Sequence, residues 1–251
     1  MTIDARLNDS ETTIERVKII RRKKFLCLIY HQWYQMLVDK LGSAAGPVLE
    51  IGSGAGFFSE FVDNLITSDI LPLPYVDHVF DACQTMPLES ESLRGIAMVN
   101  TLHHLPNARQ FFQEASRCLA PGGVITMIEP WSTPWSGLIY ANLHHEPFRP
   151  DEKSWSFQSS GPLSGSNQAL PWIVFERDRA QFESEFPIFE IVEIKVFMPI
   201  KYLLSGGFSA PALVPGWSFG MFTAIEDALA PFSKMLGMFA QITVRKRIQT
   251  A

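Results

Sequence analysis

A short apolar run that ends in a glycine-rich turn constrains the fold of this chain more than any other feature. Residues 47–51 (PVLEI) suit a buried strand of a parallel sheet, and residues 52–56 (GSGAG) follow at once. Glycine tolerates positive φ angles and allows a ligand to approach the backbone closely. Residues 57–65 (FFSEFVDNL) have helical spacing, and the helix N-terminus would face the same ligand. We therefore expect a strand, a binding turn and a helix here.

The residues that follow alternate between short apolar runs and helical patterning. A helix over residues 107–119 is predicted from its apolar spacing and from Asn107, which suits the N-cap position. Strands are predicted at residues 65–69 (LITSD), 77–82 (DHVFDA), 95–100 (GIAMVN) and 124–129 (VITMIE). Alternation of strands and helices is typical of right-handed βαβ units, so we expect an α/β fold built on a parallel sheet.

Two further regions flank this pattern. Residues 14–41 have helical spacing and stop before Gly42, so residues 1–46 are predicted to form an N-terminal helical cover. Residues 47–251 then form the main domain, with loop-rich insertions at about 131–175 and 200–236 of the kind that often binds substrates. The later patterns predict a helix at 176–186, a strand at 189–197, a helix near 221–236 and a last strand at 239–247.

Charge is distributed unevenly along the chain. The whole sequence has 21 basic and 26 acidic residues, a net charge of −5, which argues against a nucleic-acid partner. Residues 1–46 nevertheless carry eight basic and five acidic side chains, and residues 16–24 are basic without any acid. This run suits a solvated helix face, and the alternative is peripheral contact with an anionic membrane surface.

Cysteine usage and the polar N-terminus favour a cytoplasmic location. Cys27, Cys83 and Cys118 are an odd number without metal-ligand spacing, so we expect reduced thiols. The first residues are polar and acidic, unlike a secretory signal. The uncharged stretch 202–225 contains Pro211 and Pro215 and several glycines, so we do not expect it to span a membrane.

Two acids stand at the predicted ends of strands two and three. Ligands of parallel α/β sheets bind outside the carboxyl ends of the strands. Asp69 could accept hydrogen bonds from a ribose diol and Asp81 from an adenine amine, although either acid could instead cap a turn. A nicotinamide dinucleotide is disfavoured, because Phe57 occupies the sixth position, where the dinucleotide turn requires glycine.

These motifs, taken together, resemble those of the class I S-adenosylmethionine-dependent methyltransferases, and most closely the small-molecule group labelled type 11. The matching strings occur in the family's order over about residues 47–131. They are VLEIGSGAGFF, TSDI, DACQTMPL, NTLHHL and RCLAPGGVITMIEPW. The resemblance implies a Rossmann-like sheet of order 3-2-1-4-5-7-6 with the last strand antiparallel. One departure is the short link ILPLPYV between strands two and three, which leaves no room for the usual crossover helix.

The resemblance also implies S-adenosyl-L-methionine as cofactor and a role for each motif. The glycine turn would lie beside the methionine part of the cofactor, Asp69 would bind the ribose, and Asp81 the adenine. The implied cofactor-binding residues are Glu50, Gly52, Ser53, Gly54, Gly56, Asp69, Asp81, Ala82, Cys83 through its backbone, Asn100 and Thr101.

Candidate catalytic residues follow the later strands. Methyl transfer depends mainly on alignment of donor and acceptor, and a general base helps when the acceptor is a hydroxyl. His104, Glu129, His144 and His145 are the candidates, although each could be structural. No metal site is predicted, because the adjacent residues His144, His145 and Glu146 seldom share one ion.

The predicted function is methylation of a small, apolar or aromatic acceptor. Five of the six tryptophans lie after strand five, which suits either core packing or an aromatic acceptor pocket. Tyr30 and Tyr34 of the N-terminal cover could close over the cofactor or simply pack. Two alternatives stay open: the same fold and cofactor used for a non-methylating reaction such as a cyclisation, and a non-catalytic binding protein. The sequence predicts no oligomeric state.

Overall fold

The chain folds around one mixed sheet, as seen in a computed structural model that describes residues 9–42, 44–143, 146–159, 161 and 165–248. The seven strands run in the order β3-β2-β1-β4-β5-β7-β6, and β7 is antiparallel to both of its neighbours. This order and the α/β class confirm the predicted fold. The strands are β1 (Val48–Ile51), β2 (Leu65–Asp69), β3 (His78–Val79), β4 (Leu93–Val99), β5 (Leu119–Pro130), β6 (Phe189–Phe197) and β7 (Phe239–Lys246).

Side chains of the central strands alternate between two hydrophobic cores, one on each face of the sheet. On β1, Leu49 packs into one core and Val48 into the other, and on β4 Ile96 and Ala97 divide in the same way. Such strands are apolar along their whole length because both faces are covered. Helix α3 (Ala108–Cys118) packs into the core that contains Leu49, which is rich in aromatic rings. The side chain of Asn107 caps this helix.

The opposite face is covered by two N-terminal helices rather than the single helix predicted over 14–41. Helix α1 (Ser10–Arg22) and helix α2 (Lys24–Val38) are separated at Lys23, which has ψ of 87°. Its ammonium donates to the carbonyl of Gly207, 2.6 Å away, so the break brings the cover into contact with the second insertion. Membrane contact by the basic run stays a prediction.

The prediction of a helix over residues 57–65 is wrong. Only a 3-10 turn over Phe58–Glu60 follows the glycine turn, and Asn64 adopts a positive φ of 57°. Phe57 and Phe58 are buried against Tyr34, so packing against the N-terminal cover outweighs local helix propensity. The glycine turn therefore has no long helix, and no helix dipole, behind it.

The edge of the sheet beyond β2 is minimal. The short link 70–77 contains no helix, and strand β3 has two residues instead of the six predicted. Asp77 compensates by accepting hydrogen bonds from the backbone and the hydroxyl of Thr67, both at 2.8 Å. The missing crossover thus shortens the edge but leaves the strand order intact.

The second half of the chain contains more helix than its composition predicted. Helix α4 (Pro134–Leu143) lies within the first insertion, and a helical segment at Leu170–Trp172 continues as a π-helical turn at Ile173–Arg177. The helical segment Leu170–Trp172 is α5. The helix predicted over residues 176–186 is shorter in the structure, where α6 spans Arg179–Glu185. The second insertion holds α7 (Lys201–Leu204), α8 (Phe219–Ala228) and α9 (Ser233–Leu236). None of the described helices is both long and apolar enough to cross a bilayer.

Candidate functional site

A cavity of about 490 Å³ opens at the carboxyl ends of β1, β2 and β4. Ten of the eleven predicted cofactor-binding residues line it, and the exception, Cys83, lies behind Asp81. The ten are Glu50, Gly52, Ser53, Gly54, Gly56, Asp69, Asp81, Ala82, Asn100 and Thr101. The topology explains this convergence, because adjacent parallel strands end at the same edge of the sheet.

The glycine turn is shaped by close approach as well as by positive φ. Gly52 has φ of 71°, and a Cβ atom there would lie 2.5 Å from Oγ1 of Thr101. At Gly56 a Cβ atom would clash with the hydroxyl of Tyr34 and would lie 2.9 Å from the carbonyl of Ser53. Larger residues at these positions would displace the cover or the end of β4, so the turn requires glycine for steric reasons.

Asp69 at the end of β2 holds the turn in place and also faces the cavity. Its Oδ2 accepts a hydrogen bond from the N–H of Gly54, and its Oδ1 accepts one from the N–H of Leu71, each at 2.9 Å. Burial raises the pKa of this carboxyl, and the backbone donors oppose that shift. Because each carboxylate oxygen has a further lone pair, Asp69 can still accept hydrogen bonds from a ligand.

Glu50 is the most strongly perturbed acid of the turn. Only 6% of the residue is exposed, and burial raises the pKa of its carboxyl to about 7, against a smaller opposing effect of the Ser53 hydroxyl. Asn100, after β4, has φ of 53°, and its buried Oδ1 accepts no hydrogen bond from any described residue. Both groups therefore gain from a ligand that offers positive charge or N–H donors.

Asp81 occupies the corresponding position after β3. Its Oδ1 accepts a hydrogen bond from the N–H of Cys83 at 2.8 Å, and its Oδ2 accepts one from the side chain of Gln84 at 3.2 Å. The side chain remains at the cavity wall beside Ala82. The backbone of Cys83 thus orients Asp81, and its predicted contact with adenine stays a prediction.

Aromatic residues from the cover and from the second insertion also line the cavity. Tyr30 and Tyr34 line the cavity, and the Tyr34 hydroxyl accepts a hydrogen bond from the N–H of Phe57 at 3.1 Å. Tyr202 and Phe208 line it as well, with the guanidinium of Arg16 lying 5.3 Å from the Phe208 ring centre. Sequence patterns identified the two tyrosines of the cover but not Tyr202 or Phe208, which have no recognisable motif.

The predicted catalytic residue Glu129 is completely buried and does not line the cavity. Its Oε1 accepts hydrogen bonds from the N–H groups of Thr101 and Leu102, each at 2.7 Å. Its Oε2 lies 2.7 Å from Nδ1 of His103. Glu129 therefore orients the chain after β4, and a direct catalytic role stays a prediction.

His103, His104 and Glu146 meet at the wall of the cavity. Nε2 of His103 lies 3.3 Å from Oε2 of Glu146, and Nε2 of His104 lies 3.8 Å from Oε1 of the same carboxylate. Burial disfavours the charged form of His103, but hydrogen bonds to Glu129 and Glu146 outweigh it and raise the pKa to about 9. Burial and the neighbouring His103 lower the pKa of His104 to about 4.

The two histidines of the pair thus differ in their expected charge. The sequence left a structural role open for both His103 and His104, which follow strand four, and the string NLHHEPF was the signal that pointed to Glu146. The predicted catalytic residues His144 and His145 lie outside the described residues.

Comparisons with known proteins agree with the fold that the sheet order indicates. Residues 49–127 match the profile of a family described as "Methyltransferase domain". No curated protein sequence matches the chain. A methyltransferase dependent on S-adenosylmethionine from Archaeoglobus fulgidus is 16% identical, with 88% of this chain and 93% of that chain covered and a TM-score of 0.53.

Two further solved structures share the fold. A methyltransferase dependent on S-adenosylmethionine from Mesorhizobium loti is 13% identical over 84% of this chain and 96% of its own, with a TM-score of 0.50. Geranyl diphosphate C-methyltransferase from Streptomyces coelicolor, solved with Mg²⁺, geranyl diphosphate and S-adenosyl-L-homocysteine, is 14% identical over 86% and 79%, with a TM-score of 0.50. The family match over residues 49–127 and the sheet order both agree with the class I, S-adenosylmethionine-dependent methyltransferase fold that the sequence motifs resemble.

Proposed function

We propose that this protein transfers a methyl group from S-adenosyl-L-methionine to a small acceptor with an apolar or aromatic body. The observation that carries the proposal is that one cavity combines two kinds of lining residue. The glycine turn and the acids Glu50, Asp69 and Asp81 form the acidic part of the lining, and aromatic side chains that include Tyr30 and Tyr202 form the apolar part.

The acidic part of the lining fits the cofactor in charge and in hydrogen bonding. S-adenosylmethionine supplies a methyl group already activated by its sulfonium, so the protein's task is mainly to align it with the acceptor. Glu50 and the unpaired Oδ1 of Asn100 suit the positively charged methionine part. Asp69 and Asp81, at the ends of neighbouring strands, suit the ribose hydroxyls and the adenine amine.

The apolar part of the lining fits an acceptor with a polar group at one edge. Leu143, Tyr202, Leu203 and Phe208 offer apolar contact area. His104 lines the same space, and its neutral imidazole can accept a hydrogen bond from an acceptor hydroxyl. The identity of the acceptor and the atom that receives the methyl group are left to experiment.

The proposal is tested in two steps. Calorimetry with S-adenosylmethionine and with S-adenosylhomocysteine should show one site per chain, and absence of binding would contradict the proposal. Mass spectrometry of incubations with aromatic, lipid-like and polyketide-like acceptors should then find methylated product and S-adenosylhomocysteine in equal amounts. Conversion of an acceptor without S-adenosylhomocysteine would instead indicate a non-methylating reaction such as a cyclisation.

The ionisation of Glu50 should make cofactor binding depend on pH. The cofactor carries net positive charge, so it should bind the ionised form of a carboxyl whose pKa in the free protein is about 7. We expect affinity to approach its full value near pH 8 and to fall by up to about tenfold for each pH unit below pH 7. Calorimetry between pH 5.5 and 8 measures this directly.

A matched variant separates Glu50 from other titrating groups. Glu50→Gln keeps the shape of the side chain but cannot ionise, so its weaker affinity should be nearly constant below pH 7. A wild-type profile as flat as that of the variant would remove Glu50 from the methionine end of the site.

A further inference from the structure

Three side chains of metal-ligand type converge where the acceptor is expected to bind. His103 and His104 follow β4, and Glu146 follows helix α4, so the first insertion brings its carboxylate to the end of the sheet. Among the described residues, this is the group of three His, Cys, Asp or Glu side chains whose ligand atoms all lie within 4.8 Å of one another. We propose that these three residues bind a divalent transition-metal ion.

The distances suit a shared ion. Ligand atoms held about 2.0–2.1 Å from zinc at a tetrahedral angle are separated by about 3.3 Å. Nε2 of His103 and Oε2 of Glu146 are 3.3 Å apart, and Nε2 of His104 is 3.8 Å from Oε1 of Glu146. All three ligand atoms lie within 4.8 Å of one another.

Glu129 favours the His103 tautomer whose Nε2 lone pair faces Glu146. Its Oε2 lies 2.7 Å from Nδ1 of His103, while its Oε1 accepts two backbone N–H groups after β4. A neutral His103 therefore has its proton on Nδ1 and its lone pair on Nε2, facing Glu146. A carboxylate that orients a histidine in this way is a recurrent partner of metal-bound imidazoles.

The charge of the cavity also favours a cation. Four carboxylates line it, those of Glu50, Asp69, Asp81 and Glu146, whereas Arg16 is the single lysine or arginine among its described lining residues. The cofactor places positive charge beside Glu50. Glu146 and the completely buried Glu129 lie on either side of His103, so a divalent ion that displaces the His103 proton keeps a positive charge between the two carboxyl groups.

The ligand set indicates the class of metal and its role. Two imidazole nitrogens and one carboxylate favour borderline ions such as Fe²⁺, Co²⁺ and Zn²⁺ over Mg²⁺ and Ca²⁺. Three protein ligands leave coordination positions open, and all three side chains line the cavity. An oxygen atom of the acceptor can occupy one of them and so be held beside the cofactor, a role that rests on the proposed function.

Titration of the chelator-treated, full-length protein with Co²⁺ tests the site, because the visible absorption of Co²⁺ reports its coordination. We expect one ion per chain and weaker binding of Mg²⁺ than of Co²⁺. Glu146→Gln and His104→Asn should each weaken Co²⁺ binding at least tenfold. His78→Asn, on the edge strand β3, is the control and should bind Co²⁺ as the wild type does.

Binding of S-adenosylmethionine is measured on the same samples to keep the two proposals apart. Normal cofactor binding without Co²⁺ binding, or Co²⁺ binding that neither site variant weakens, would overturn the metal site alone. Tighter binding of Mg²⁺ than of Co²⁺ would overturn the assigned metal class. Stoichiometric Co²⁺ binding that both site variants weaken, in a protein that does not bind the cofactor, would support the metal site and contradict the proposed function.

Discussion

Asp69→Ala is expected to weaken binding of S-adenosylmethionine by about 2–4 kcal/mol, roughly 30- to 1000-fold in the dissociation constant. The variant removes a buried carboxylate that faces the cavity and can accept charge-assisted hydrogen bonds from the ribose. It also removes the acceptor of the Gly54 and Leu71 N–H groups, so the glycine turn loses part of its support. Calorimetry at pH 7.5 measures the change.

Two further variants separate these contributions. Asp69→Asn retains one acceptor oxygen of similar shape, so it should weaken binding less than Asp69→Ala does. Asp63→Ala removes an exposed acid just before the same strand and should leave affinity unchanged. An Asp69→Ala protein that binds the cofactor as tightly as the wild type would exclude Asp69 from the site.

The glycine turn and the acid after strand two were predictable because their signals are local, whereas the sheet order followed from the family resemblance. In a buried parallel strand the apolar residues, the turn and the acid after the strand are consecutive in the sequence. Gly52 and Asp69 could therefore be placed without knowledge of the rest of the chain. The helix expected after the turn failed because Phe57 and Phe58 pack against Tyr34, more than twenty residues earlier.

The rest of the cavity lining was less predictable because it depends on contacts between distant parts of the chain. Glu146 reaches His103 only because helix α4 returns the first insertion to the end of the sheet. Tyr202 and Phe208 join the wall through the second insertion, whose composition indicated an apolar environment but no particular contact. Patterns along the sequence do not contain such distances, so the contact between His103 and Glu146 was not predicted.

Stability should depend most on the core that lies away from the cavity. Phe112 of α3 is completely buried, and its ring centre lies 5.0–6.5 Å from those of five other phenylalanines. Phe112→Ala leaves a cavity among these rings and should lower the free energy of unfolding by about 3–5 kcal/mol. For a chain of this length the melting temperature should fall by roughly 6–20 °C.

The same variant shows whether folding and binding can be separated in this protein. Phe112 does not line the cavity, so the folded variant, well below its melting temperature, should bind S-adenosylmethionine with wild-type affinity. Phe232→Ala removes an equally large ring that is 54% exposed, and its effect on unfolding should stay within about 0.5 kcal/mol. Equal destabilisation by the two variants would contradict the assignment of this core. Asp69→Ala should impair cofactor binding, and Phe112→Ala should impair stability while leaving binding intact, so the pair tests whether this core and the binding site act independently.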